Sequence, residues 1–164
     1  MDKLAVLFLF LWGAVLAASG AGLENALDIS ASGAIAQRTK AQIIAENIAN
    51  MDTTKTADGL PYRRKIAVMR PAEDFTRSGR TSRMMLKGVQ VVAVEAEPKA
   101  EQKFQRVFKP DHPDADARGF VNYPNIDLAS ELVELSEVGG AFENNVVVFN
   151  NTKAMMQASL ELAQ

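Results

Sequence analysis

Residues 127–164 read DLASELVELSEVGGAFENNVVVFNNTKAMMQASLELAQ, and the spacing of their apolar side chains decides the architecture. Leu128, Leu132, Leu135, Phe142, Val146, Phe149, Met156, Leu160 and Ala163 fall on alternating steps of three and four. Gly139 and Lys153 stand where that rhythm expects two further apolar residues. A 3.5-residue repeat sustained this long keeps one seam of a helix turned toward a partner helix. At 1.5 Å per residue the helix extends roughly 50 Å, more than a domain of this size covers alone. The seam calls for a partner.

Working outward, a second helix is expected over Leu23 to Asn50, with Asp28 or Ser30 as its cap. Leu27, Ala31, Ala34, Ala41, Ala45 and Ile48 share one face, which Arg38 interrupts. That face is mostly alanine, so a neighbouring helix can approach closely while the C-terminal seam supplies the bulk. Asparagine is a poor interior helix residue. Yet Asn47 and Asn50 lie late in this helix, and Asn144, Asn145, Asn150 and Asn151 lie midway along the last one. An amide bordering an apolar stripe offsets its cost by bonding across a helix interface and fixing register, and this reading is preferred to a merely tolerant polar face.

Between the helices the chain is β-like. Tyr62 to Met69, Val89 to Glu95, Phe104 to Phe108 and Phe120 to Tyr123 are short runs rich in valine and aromatics, bounded by turn residues such as Asp58-Gly59-Leu60-Pro61. Pro71 to Lys87, polar and basic with Arg77, Arg80 and Arg83, reads as a flexible loop. The expectation is an α+β chain. Long N- and C-terminal helices pair as a coiled-coil-like axial layer, and a small β module is inserted between them. The divisions fall at 1–21, a signal-like hydrophobic leader; 22–58, the N-terminal axial helix and turn; 59–124, the β module with its loop at 71–87; and 125–164, the C-terminal axial helix.

Composition narrows the function. The leader has Lys3, an apolar run from Leu4 to Leu16, and small residues at Ser19-Gly20-Ala21 that fit a cleavage site. The run is too short to span a bilayer comfortably. Of the 164 residues 48% are hydrophobic but only 7% aromatic, so a compact core is small; the net charge of -2 gives no general pull toward nucleic acid. Absence of cysteine excludes disulfides, thiol catalysis and cysteine metal sites.

The densest polar cluster is Asp111-His112-Pro113-Asp114-Ala115-Asp116, followed by Arg118 and Gly119. Counted from Asp114 as a calcium loop, the first, third and sixth positions fit. The fifth is Arg118, a cation, and the twelfth is Asn125 rather than a bidentate glutamate. A tight turn whose aspartates accept backbone N–H bonds is the better reading. His112 is the only histidine, and no G-x-S-x-G elbow presents a serine to it. Glu131, Glu134 and Glu137 read as a solvated face of the last helix. The basic loop lacks interleaved aromatics for base stacking. No enzyme, cofactor, metal, nucleic-acid or small-molecule site is expected.

Ala26-Leu27-Asp28-Ile29-Ser30-Ala31-Ser32-Gly33, Ala36-Gln37-Arg38, Ile44-Ala45-Glu46-Asn47-Ile48-Ala49-Asn50 and Asp52-Thr53-Thr54 resemble the N-terminal motif of the flagellar basal-body rod family. Gly59-Leu60-Pro61-Tyr62-Arg63-Arg64, the Asp111 to Asp116 cluster, Gly119-Phe120-Val121, Tyr123-Pro124-Asn125 and Phe142-Glu143-Asn144-Asn145 are similar to its proximal rod members. The resemblance covers Leu23 to Gln164. It implies a structural subunit whose terminal helices pack into the tubular drive shaft that carries torque across the periplasm, with the β module outside. Its partners would be copies of itself, the other proximal and distal rod proteins and the hook–basal-body adaptor. The alternative is a secreted binding module, a β domain on a helical stalk. The assembly interface expected on the rod reading comprises Leu27, Ala31, Ala34, Ala41, Ala45, Ile48, Asn47, Asn50, Leu128, Leu132, Leu135, Phe142, Asn145, Val146, Phe149, Met156 and Leu160.

Overall fold

The computed structural model describes the backbone of residues 3–78, 81–97 and 104–162, and the side chains of 22–72, 87–97 and 104–162. The chain is α+β. Helix α1 (Lys3–Ala49) is followed by strands β1 (Lys65–Ser78), β2 (Thr81–Ala96), β3 (Gln105–Phe108) and β4 (Phe120–Tyr123), and by helix α2 (Leu128–Glu161). The strands form two separate two-stranded sheets, β1-β2 and β3-β4. Two compact units result: Met1–Ile35 with Pro71–Gln90 and Glu143–Gln164, and Ala36–Arg70 with Val91–Phe142.

Helix α1 does not begin at Asp28 or Ser30 as the capping rule suggested; its backbone is already helical at Lys3. The first proline is Pro61, so no residue before it forces a break. Ser30, instead of capping, is buried and turns its hydroxyl back on the carbonyls of Ala26 (2.8 Å) and Leu27 (3.0 Å). The side chains of the leader lie outside the described residues. At the other end Asn50 stays local: its amide donates to the Glu46 carbonyl (2.9 Å) and accepts from the Thr53 hydroxyl (3.2 Å). The turn at Asp58-Gly59 is present, with Gly59 at φ 74°, a conformation that suits glycine.

Asp127 caps α2, accepting from the backbone N–H (3.0 Å) and the hydroxyl (2.6 Å) of Ser130. The Ser130 hydroxyl is the main reason the Asp127 carboxyl titrates below its usual range. The helix continues through Gly139-Gly140, and no atom lies within 4 Å of where a β-carbon would stand on either glycine.

The stretch read as a loop at 71–87 is strand instead. Residues 71–78 belong to β1 and 81–87 to β2, with only two residues separating the strands. So short a link permits only an antiparallel hairpin. A two-stranded ribbon pairs the inward-facing half of its backbone groups and leaves the other half on its open edges. This pairing does not depend on apolar alternation, so a polar, basic stretch can extend it. In the first unit the ribbon meets α1 at Gly88. A β-carbon there would stand 1.9 Å from Ser32 Oγ and 3.1 Å from Ile29 Cα, and φ is +103°. The next residue, Val89, donates its N–H to Ser32 Oγ at 3.2 Å. Strand backbone thus rests directly on helix.

In the second unit β3 and β4 pair antiparallel, Val107 opposite Val121 and Phe108 opposite Phe120. Asp116 organises the connection between them. Its Oδ1 accepts the N–H groups of Arg118 (2.8 Å) and Phe120 (2.9 Å), and its Oδ2 receives Arg106 (2.6 Å). These bonds, the one from Phe120 foremost, hold its carboxyl below the usual range. Among the described residues the buried apolar core is small: Ala36, Ile43, Ile44, Tyr62, Val121 and Val138.

Candidate assembly site

Asn47, in the last turns of α1, is 1% exposed and every polar atom of its amide is used. The oxygen accepts the Lys65 backbone N–H (2.9 Å) and the Tyr62 hydroxyl (3.0 Å). The nitrogen donates to the Lys65 carbonyl (2.9 Å) and, at 3.5 Å, to Glu131 Oε2 on α2. One side chain therefore takes both backbone groups of the first residue of β1, as a neighbouring strand would. Burial, with Glu46 and Glu131 nearby, pushes the Tyr62 phenol up to about 12, so it donates as a neutral hydroxyl.

An ionic layer surrounds this amide. Glu131, 2% exposed, accepts Arg64 Nε at 2.6 Å, and Arg64 Nη2 reaches Glu134 at 2.8 Å. Glu134 also receives Lys40 of α1 at 2.7 Å, and Lys65 pairs with Glu46. Burial pulls the Arg64 pKa down, but its bonds to Glu131 and the charges of Glu131, Glu134 and Glu97 raise it overall. The Lys40 hydrogen bond leads in holding the Glu134 carboxyl below its ordinary range. A buried ion pair holds only where its remaining lone pairs and protons are satisfied. Here they are: among the described residues no buried side-chain nitrogen or oxygen lacks a partner.

Helix α2 carries rows of residues seven apart. Glu131, Val138 and Thr152 are buried, and Asn145 of the same row is half-buried against Gly33, where a β-carbon would stand 2.7 Å from Asn145 Oδ1. Thr152 satisfies its hydroxyl on the Val148 carbonyl at 2.8 Å. The next row, Leu128, Leu135, Phe142, Phe149 and Met156, ranges from half-buried to partly exposed. The third, Leu132, Gly139, Val146, Lys153 and Leu160, faces out, with Leu132 51%, Val146 36% and Leu160 60% exposed. Val147 and Val148 are exposed as well, so α2 is apolar on more than one side. On α1, Leu27, Ala31, Ala34, Ala41 and Ile48 are half-buried and Ala45 is exposed.

The comparisons with known proteins fall on these helices. Residues 27–55 match a model described as flagella basal body rod protein, and residues 117–162 match one described as flagellar basal body rod FlgEFG protein C-terminal. Flagellar basal-body rod protein FlgC of Borreliella burgdorferi is 30% identical over 158 residues, spanning 87% of this chain and 99% of its own. FlgC of Bacillus subtilis is 34% identical over 146 residues (85% and 97%), and FlgC of Escherichia coli O157:H7 is 36% identical over 143 residues (87% and 98%). The chain belongs to the flagellar basal-body rod protein FlgC family. It is a structural subunit of the basal-body rod of the bacterial flagellum.

Within this rod subunit, sequence reasoning placed the apolar stripe on the second and third rows and took only Asn145 from the buried one. The signal available was the sevens spacing of Glu131, Asn145 and Thr152, polar residues that a search for apolar repeats passes over. Glu131 and Glu134, read as a solvated face, are joined to Arg64; Glu137 of that group is exposed. Tyr62 and Lys65 went unmarked as partners of Asn47, and Arg64 as the partner of Glu131 and Glu134.

Proposed function

We propose that this subunit builds the proximal rod through its two terminal helices, which pair as a coiled-coil-like axial layer with the β ribbon and β3-β4 carried outside it. Leu132, Val146 and Leu160 with Val147 and Val148 support the reading: apolar and exposed on adjoining sides of one helix. A helix apolar on several sides belongs in an interior. Enclosing the exposed part of each such side chain is worth on the order of 1 kcal/mol. The half-buried alanines of α1 let a neighbour's bulky row approach. Asn47 and Asn50 fix the end of α1, and Leu128, Leu135, Phe142, Asn145, Phe149 and Met156 line the shared flank of α2. The partners are copies of the chain, other proximal and distal rod proteins and the hook–basal-body adaptor. The work is mechanical, transmission of torque across the periplasm, without cofactor or catalysis.

The test is the double substitution Leu132→Asp, Val146→Asp. The purified chain should keep its thermal midpoint within a few degrees, because both positions are exposed. Cells carrying it should lose swimming, and their basal bodies should lack the chain. Normal swimming with the doubly charged row in place removes the assembly role of α2.

A further inference from the structure

Two irregularities of the sequence, Arg38 in the alanine face and Gly139 in the apolar stripe, line the same groove. It measures about 310 Å³, lies in the second unit, and is bounded by Arg38, Ala41, Leu135, Val138, Gly139 and Phe142. Its walls are apolar except for Gln37 and the exposed cation of Arg38. Gly139 leaves one side open, with nothing within 4 Å of where its β-carbon would stand. Among the described residues Arg38 has no ion pair.

A segment of the same chain has the complementary character. Leu162, just past the end of α2, is 90% exposed, the most exposed of the large apolar residues described. Beside it Glu161 is exposed and likewise without an ion pair among the described residues. We propose that the groove receives the end of α2 from a second copy of the chain, Leu162 filling the space beside Gly139 while Glu161 pairs with Arg38. A contact between two different patches is heterologous, and repeated it generates an open helical array rather than a closed dimer. The charge pair sets which residue enters, since like charges facing each other across a contact are strongly disfavoured. This inference rests on the rod reading and deepens it by naming one contact and its partner.

The absence of native cysteine makes a cross-linking test clean. Full-length chains carrying Ala41→Cys and Leu162→Cys separately, mixed and oxidised, should yield a mixed disulfide dimer. Arg38→Glu on the first chain should lower its yield by about tenfold, and Glu161→Arg added to the second should restore it. No dimer, a yield indifferent to Arg38→Glu, or failure of the reversed pair to rescue overturns the proposal. So does the same cysteine pair, tested in cells, capturing a different basal-body protein in place of a second copy. Basal bodies isolated in parallel separate the two readings. Incorporation of the wild-type chain without the predicted cross-link removes only this contact, whereas absence of the wild-type chain from basal bodies removes the rod reading and the contact together.

Discussion

On α2, Glu131 and Asn145 are turned into their own chain, while Leu132 and Val146, each the next residue along, are exposed. Globular proteins ordinarily do the reverse, burying the leucine and leaving the glutamate in water. The difference separates two tasks laid on one helix. The row facing inward is fastened within the chain: Arg64 and Asn47 bond Glu131, and the Val148 carbonyl accepts the Thr152 hydroxyl. The row facing outward is exposed in the isolated chain, and on the proposed reading its apolar surface is kept for neighbours. A subunit held by hydrogen bonds and ion pairs has directional joints; one glued to its neighbours by apolar area is attached without strict angular demands.

The comparison breaks most readily at Asn47. Asn47→Ala strips partners from the Lys65 N–H and carbonyl and from the Tyr62 hydroxyl, all beside a buried carboxylate. Each buried group left unpaired costs about 1–3 kcal/mol, so the expected loss is about 3–5 kcal/mol, measured by urea unfolding of the full chain. A loss under about 1 kcal/mol would mean that water replaces the amide and that Asn47 is not what fastens Lys65 and Tyr62 to α1. The outward row should respond in the opposite sense. Gly139→Ala replaces the weaker helix former at a position with free space around it and should stabilise the isolated chain by about 1 kcal/mol, read as a higher midpoint in thermal unfolding. A lower midpoint would show that Gly139 is already covered within the chain.

How much of this could be read beforehand follows from which residues speak through their own type. The final helix was expected from Asp127 and begins at Leu128, and the strand Phe120 to Tyr123 is found with those bounds. Both carry signals in adjacent residues: a cap before an apolar repeat, an aromatic run after a turn. The inner halves of the ribbon were legible as the strands Tyr62 to Met69 and Val89 to Glu95. Its outer half was not, because that sequence is polar and basic and strand pairing by itself leaves no mark in composition. Gly88 did carry a hint, a lone glycine entering a valine-rich run, which marks close approach of another backbone. Ser32 as the thing approached could not be named from sequence, being 56 positions earlier. Asn47 and Asn145 stood out as asparagines inside helices, but the chief partners of Asn47 differ in kind from those expected. Asn47 chiefly holds backbone of a strand, and Asn145 faces the missing side chain of Gly33.

The smallest effect sharpens the comparison through pH. Glu134 lies at the edge of the inward layer, bonded to Lys40 and Arg64, and its carboxyl titrates below the ordinary value of 4.5. A carboxyl with a lowered pKa in the folded chain contributes stability that is complete above its unfolded value and is lost as pH falls through the folded one. The wild-type chain should therefore weaken on acidification from pH 5 toward about pH 3. Glu134→Gln should start weaker at pH 7 and lose less over that interval, because the titrating partner of Lys40 and Arg64 is gone. Urea midpoints for both chains across the interval give the measurement. Parallel curves would place the acid sensitivity elsewhere, in Asp116 or Asp127, whose carboxyls are also lowered but serve a turn and a helix cap. Converging curves would tie part of the subunit's rigidity to the pair of lysine and arginine side chains that bring α1 and the Arg64 segment onto one glutamate of α2.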